Sequence, residues 1–78
     1  MNLSGRIQVD PEVMLGKPVI RGTRIPVELL LRRMAEGANE DELLASYPHL
    51  MREDVRAAVA FAADEIAHTE TLPLAQSR

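Results

Sequence analysis

The first residues in this 78-residue chain with the means to do chemistry are two glycine pairs, Gly16-Lys17 and Gly22-Thr23. A lysine after glycine can grip a phosphate. The phosphate-binding loop, however, needs Gly-x-x-x-x-Gly-Lys-Ser/Thr, and here Pro18 follows the lysine. The order is wrong, so a nucleotide loop is rejected. Cysteine is absent, which removes thiolate nucleophiles, disulfides and thiolate metal sites together and fits a reducing compartment. His49 and His68 are the only histidines and lie far apart, too thin a set for structural zinc. Ser4, Ser46 and Ser77 come without a convincing acid–base set, and the carboxylates of the second half are explained by helix starts and solvation. The expectation is a binding module, not an enzyme, with no catalytic residues, metal or cofactor.

Charge offers a better lead. Residues 1–33 hold six basic groups against three acidic ones, a net +3; residues 34–78 hold three against nine, a net −6. Such asymmetry suggests two surfaces with different partners, although each half can equally carry a plain solvated face. Lys17, Arg21, Arg24, Arg32 and Arg33 form the basic footprint, and a basic ribbon can track backbone phosphates. These five are the candidate DNA-binding residues. An isoelectric point near 5.3 argues against a strong solitary DNA binder, but a dimer would double the local positive field.

Those residues need elements to carry them. In residues 6–26, Ile7 and Val9 alternate with Arg6 and Gln8 at strand period. Asp10-Pro11 and Gly16-Lys17-Pro18 break the run, Val19-Ile20 is a second short apolar pair, and Gly22-Thr23 is a turn. A short two-stranded ribbon or arm results, leaning on helices for stability. In the turn that follows, Gly22, Thr23 and Pro26 have structural duties that need no ligand. Arg24 has two readings, pairing with an acidic helix start or contacting DNA.

Three helices are expected over residues 27–68. The first begins at Pro26, which suits the first helical position. It carries the stripe Val27, Leu30, Leu31, Met34 and ends at Gly37. The second starts at Asn39 with Glu42 reaching back as a capping box, turns Leu43, Leu44 and Tyr47 inward, and closes at Pro48. The third runs from about Arg52 to His68, with Val55, Val59, Ala62 and Ile66 as its inward stripe. Its stretch Ala57–Ala63 is apolar on nearly every side, so a second face is expected to meet another chain. Phe61 is the candidate interface anchor; the alternative is that it packs on the arm of its own chain. The expected core is Ile7, Val9, Ile20, Ile25, Val27, Leu30, Leu31, Met34, Leu43, Leu44, Tyr47, Leu50, Val55, Val59 and Ile66.

The fold class is therefore mostly α: a short N-terminal β-ribbon followed by a three-helix, helix-turn-helix-like bundle. Residues 1–68 make one domain and residues 69–78 a flexible tail containing Leu72, Pro73 and Leu74. In a conventional reading the third helix would enter the major groove through Arg52 and Arg56. Glu53 and Asp54 beside them would repel phosphates, so local ion pairs are expected there instead. No segment approaches the roughly 20 apolar residues of a membrane span, and the N-terminus lacks the pattern of a secretory signal. The expected location is the cytoplasm.

The string Asp10-Pro11, then Gly16-Lys17-Pro18-Val19-Ile20-Arg21-Gly22-Thr23-Arg24-Ile25-Pro26-Val27, resembles the signature of the family called domain of unknown function 433. Gly37, the Glu-rich start of the second helix, Tyr47-Pro48, Glu53-Asp54 and the alanine-rich third helix continue it, so the resemblance covers about residues 6–64. It implies a helix-turn-helix group whose members are often regarded as antitoxins paired with a PIN-like ribonuclease toxin, neutralising that toxin and repressing their own promoter as a dimer or in complex. The leading expectation is a type II antitoxin. It would contact its toxin through the third helix and tail (Phe61, Ile66, Leu72, Leu74) and operator DNA through the five basic residues. A DNA-binding regulator without a toxin, and a dimeric interaction module without a nucleic-acid role, stay open beside it. Met51 departs from the pattern, standing where a capping Ser or Thr is frequent, a change typically worth about 1 kcal/mol of helix stability.

Overall fold

The computed structural model describes residues 4–69. A 3-10 turn, Ser4–Arg6, leads into strand β1, Ile7–Gln8, which pairs antiparallel with β2, Val19–Ile20. Ile7 faces Ile20 and Gln8 faces Val19. The strands are too short to stand alone, and the chain stitches them from both sides. The Arg21 N–H donates to the Arg6 carbonyl at 2.8 Å, and the Ile20 N–H to the Ile25 carbonyl at 2.9 Å. Gly22 takes φ +80 in the turn after β2. The Thr23 hydroxyl donates to the Ile20 carbonyl at 2.7 Å and accepts the Ile25 N–H at 2.9 Å. Gly22 and Thr23 therefore have the structural duties read from the sequence.

Helix α1 is Val27–Ala35. Pro26 is its N-cap, one position earlier than expected, with extended ψ 142. The cause is the sheet: the Val27 N–H is spent on the Pro18 carbonyl at 2.9 Å, which ties the helix start to β2. Val27 and Leu30 are buried, and Leu31 and Met34 are half-buried against the same core. At the far end Gly37 has φ +110. The Ala38 N–H reaches the Arg33 carbonyl and the Gly37 N–H the Met34 carbonyl, both at 3.0 Å, the paired bonds of a Schellman ending. An alanine there keeps the bonds but meets left-handed strain. Gly37→Ala is expected to lower the stability of the full chain by about 1 kcal/mol in urea unfolding.

Helix α2, Glu40–Ser46, opens with the expected box: Asn39 Oδ1 accepts the Glu42 N–H and Glu42 Oε1 accepts the Asn39 N–H, each at 2.8 Å. Helix α3 is Arg52–Ala67. Met51 precedes it without a hydroxyl to offer, but Asp54 supplies the reciprocal half of a cap, its Oδ2 accepting the Met51 N–H at 2.9 Å. Asp54 is buried, and its Oδ1 takes Arg6 Nη1 at 3.0 Å. One carboxylate thus holds the start of α3 and the entry to β1 together.

The core is Ile7, Val19, Ile20, Val27, Leu30, Leu43, Leu50, Val55, Ala57 and Ala58, with Ile25, Leu31, Met34, Leu44, Tyr47 and Phe61 half-buried around it. Three expected core residues lie outside it. Val9 is 59% exposed, because β1 ends at Gln8 and the chain leaves the sheet before Asp10-Pro11. Val59 is 43% exposed: one residue turns a helix by about 100°, and its neighbour Ala58 is fully buried. Ile66 is 72% exposed for a different reason. At roughly 1.5 Å per residue, a nine-residue α1 covers about 14 Å of a sixteen-residue α3 that runs about 24 Å. From Ala63 onward every described residue of the helix is exposed.

Candidate interaction surfaces

The five basic candidates do not form one free stripe. Glu28 on α1 collects two of them: its Oε1 meets Lys17 Nζ at 3.4 Å and its Oε2 meets Arg32 Nε at 3.0 Å. Arg32, and then Lys17, hold the Glu28 carboxyl below the usual carboxylate range. The trio keeps one net positive charge. Arg21 turns back on the hairpin, its Nε donating to the Gly5 carbonyl and its Nη2 to the Ile7 carbonyl at 3.4 Å. Arg33 lies on another flank, in a groove against α2 that it shares with Glu36, Glu42 and Ser46. Arg24 is exposed on the turn after β2 and has neither an ion pair nor a side-chain hydrogen bond among the described residues, so the expected pairing with an acidic helix start is not made. The structure therefore brings Lys17 and Arg32 together, spends Arg21 on backbone, and leaves Arg24 and Arg33 apart.

The start of α3 is tied to the start of α2. Arg52 donates to Glu40 at 2.7 Å and to Asp41 at 2.8 Å, and Arg56 to Glu40 at 3.2 Å. These are the local ion pairs expected for Arg52 and Arg56. Asp41, then Glu40, keep the Arg52 guanidinium more firmly protonated, and Arg52 above all holds the Glu40 carboxyl below its usual range. A folded-state carboxyl whose pKa is lowered stabilises the fold above its unfolded pKa, and that contribution is lost as pH falls through the folded value. Glu40→Gln is thus expected to lower the thermal midpoint slightly at neutral pH. The gap to the wild type should close as the pH drops below the ordinary carboxylate range; a gap that stays constant in acid would contradict it.

The outer side of α3 presents Val59, Ala63 and Ile66 at helical spacing, all three exposed among the described residues. Phe61 is half-buried and packs against the chain's own core. Ile66 is free. Leu72 and Leu74 lie outside the described residues.

Two further features escaped the sequence reading. An open, mainly apolar cleft of about 300 Å³ lies between the turn after β2 and the turn after α2, lined by Gly22, Thr23, Ile25, Tyr47, Pro48 and His49. Separate strings supply its two walls, so no local pattern announces it. The other is Leu15, 95% exposed in a left-handed backbone between β1 and β2. Two large apolar residues, Met14 and Leu15, inside a connection bounded by Pro11 and Gly16 were the available signal.

A crystal structure of a DUF433 member protein from Anabaena variabilis ATCC 29413 has the same fold, with a TM-score of 0.75 and 44% sequence identity over 80% of this chain and 61% of that one. An uncharacterized protein of Archaeoglobus fulgidus is 63% identical over 27 residues, 35% of this chain and 75% of that protein. The uncharacterized protein y4eO of Sinorhizobium fredii (strain NBRC 101917 / NGR234) is 36% identical over 53 residues, 68% of this chain. This chain spans only 24% of y4eO's length. The profile described as "Protein of unknown function (DUF433)" matches residues 7–62, from the first strand through most of α3, and the chain belongs to that family.

Proposed function

We propose that the chain is the antitoxin half of a type II toxin–antitoxin pair, a cytoplasmic, non-catalytic homodimer that grips a PIN-like ribonuclease toxin. The supporting observation is the outer face of α3 and its overhanging end, where Val59 and then Ile66 expose apolar surface that the described residues leave uncovered. Exposed apolar side chains at regular helical spacing are how a helix docks into a partner's groove. The toxin contact is Ile66 with Val59, continued by Leu72 and Leu74.

Operator DNA is the second partner in this reading. The arginines at the start of α3 are held by the acids of α2, so phosphate contact falls to Arg24 on the turn and to the net positive charge of the Lys17–Glu28–Arg32 trio. Arg33 faces acidic company and contributes less.

The test is co-expression of the full chain with the protein encoded beside it. Co-purification with a ribonuclease that is silent in the complex supports the proposal, provided that Ile66→Asp releases the toxin while the circular dichroism of the free chain stays native. If no neighbour binds, the antitoxin reading falls. A DNA titration then separates a plain regulator from an interaction module without a nucleic-acid role. For a regulator, affinity should drop steeply with salt and fall further in Arg24→Ala.

A further inference from the structure

Leu15 has φ +58 and ψ 32, Met14 before it φ +50, and Gly16 after it φ +83. An L side chain in this region is crowded against its own backbone, so two successive non-glycine residues there carry strain. Neighbouring bonds hold the turn. Asp10 Oδ1 accepts the Glu12 N–H at 2.8 Å, the Val13 N–H reaches the Asp10 carbonyl at 2.8 Å, and the Gly16 N–H reaches the Val13 carbonyl at 3.0 Å. The effect is to push a leucine out from an acidic loop, since Asp10 and Glu12 are its only charged residues before Lys17. Strain kept at a surface site points to a use for the side chain it displays.

The same chain carries the complementary shape. The cleft of Ile25, Tyr47, Pro48 and His49 is mainly apolar and has room for a leucine side chain. Arg24 sits at its edge, between the lining residues Thr23 and Ile25, without a carboxylate partner among the described residues. Knob and hole are thus matched in charge as well as polarity: acidic loop, basic rim.

We propose that Leu15 of one copy seats in the Ile25–Tyr47 cleft of a second copy, with Asp10 and Glu12 opposite Arg24. The exchange is reciprocal about a two-fold axis, which closes the assembly at two chains. This rests on the homodimer reading above and names its interface. It also leaves the outer face of α3 free for a different partner.

Sedimentation equilibrium of the full chain tests it, with Leu15→Glu, Leu15→Gly, Arg24→Glu, Glu12→Arg and the double reversal. Leu15→Glu and Leu15→Gly are each expected to raise the dimer dissociation constant by at least about tenfold. Leu15→Gly should do so with a thermal midpoint no lower than wild type at a dilution where both are monomers, because it relieves strain. Single charge reversals should weaken the dimer, most at low salt, and the double reversal should recover it. If both Leu15 variants dimerise as the wild type does, this interface is wrong and the homodimer reading survives. If the wild type is monomeric at every concentration, the homodimer reading falls and the interface with it.

Discussion

Asp54→Ala is expected to destabilise the chain by about 2–3 kcal/mol, as read from urea unfolding followed by far-UV circular dichroism. The substitution strands two donors at once: Arg6 Nη1, which meets Oδ1 at 3.0 Å, and the Met51 N–H, which meets Oδ2 at 2.9 Å. Breaking a buried pair from one side commonly costs about 3–5 kcal/mol. The Arg6 side chain is 31% exposed, so water replaces part of what it loses and the figure drops below that range. A domain of this length has in total roughly 4–12 kcal/mol of stability, so the loss is a large share. Asp54→Asn keeps an acceptor for the Met51 N–H and should cost about half as much. The pairing is tested by Arg6→Ala alone and combined with Asp54→Ala: the double variant should lose less than the two singles together. An Asp54→Ala variant as stable as the wild type would remove the lock between β1 and α3.

That lock also marks where sequence reading reached its limit. The elements with local signals were legible: the alternation at Ile7, the stripe from Val27 to Met34, the left-handed stop at Gly37 and the reciprocal cap of Asn39 and Glu42. Each is decided by residues within one or two turns of one another. Arg6 and Asp54 are 48 residues apart, and nothing near either announces the other. By sequence Asp54 is one more acid in a first turn, and only the fold turns it inward. The inward face of α3 failed for a related reason. An alanine-rich helix offers two apolar faces, and the larger side chains Val59 and Ile66 drew the eye to the wrong one. The approach of α1 and β1 selected the small residues Ala57 and Ala58. Among the site candidates, the basic residues were identified by type, but Glu28, which neutralises part of the charge of Lys17 and Arg32, was read only as one more acid in the tally. The cleft was hidden because Ile25 and Tyr47 meet only in three dimensions.

Two aliphatic residues of equal size should behave in opposite ways. Leu30 on α1 is fully buried at the centre of the core. Leu30→Ala is expected to cost about 3–4 kcal/mol, the transfer of the lost methylenes plus the cavity left behind. Ile66 on the overhang of α3 touches no such centre, and Ile66→Ala should change stability by no more than about 0.5 kcal/mol. Binding reverses the order. Titrated with the ribonuclease proposed as its partner, the Ile66→Ala chain should lose affinity by roughly tenfold or more, because a central apolar anchor commonly contributes more than about 1 kcal/mol to an interface. Leu30→Ala, assayed in cold buffer where enough of it stays folded, should bind with an affinity reduced only by its unfolded fraction. The contrast separates a residue that builds the fold from one that the fold displays. Should Ile66→Ala cost as much stability as Leu30→Ala, the end of α3 is packed within the free chain, and the face proposed for a toxin is not there to be gripped.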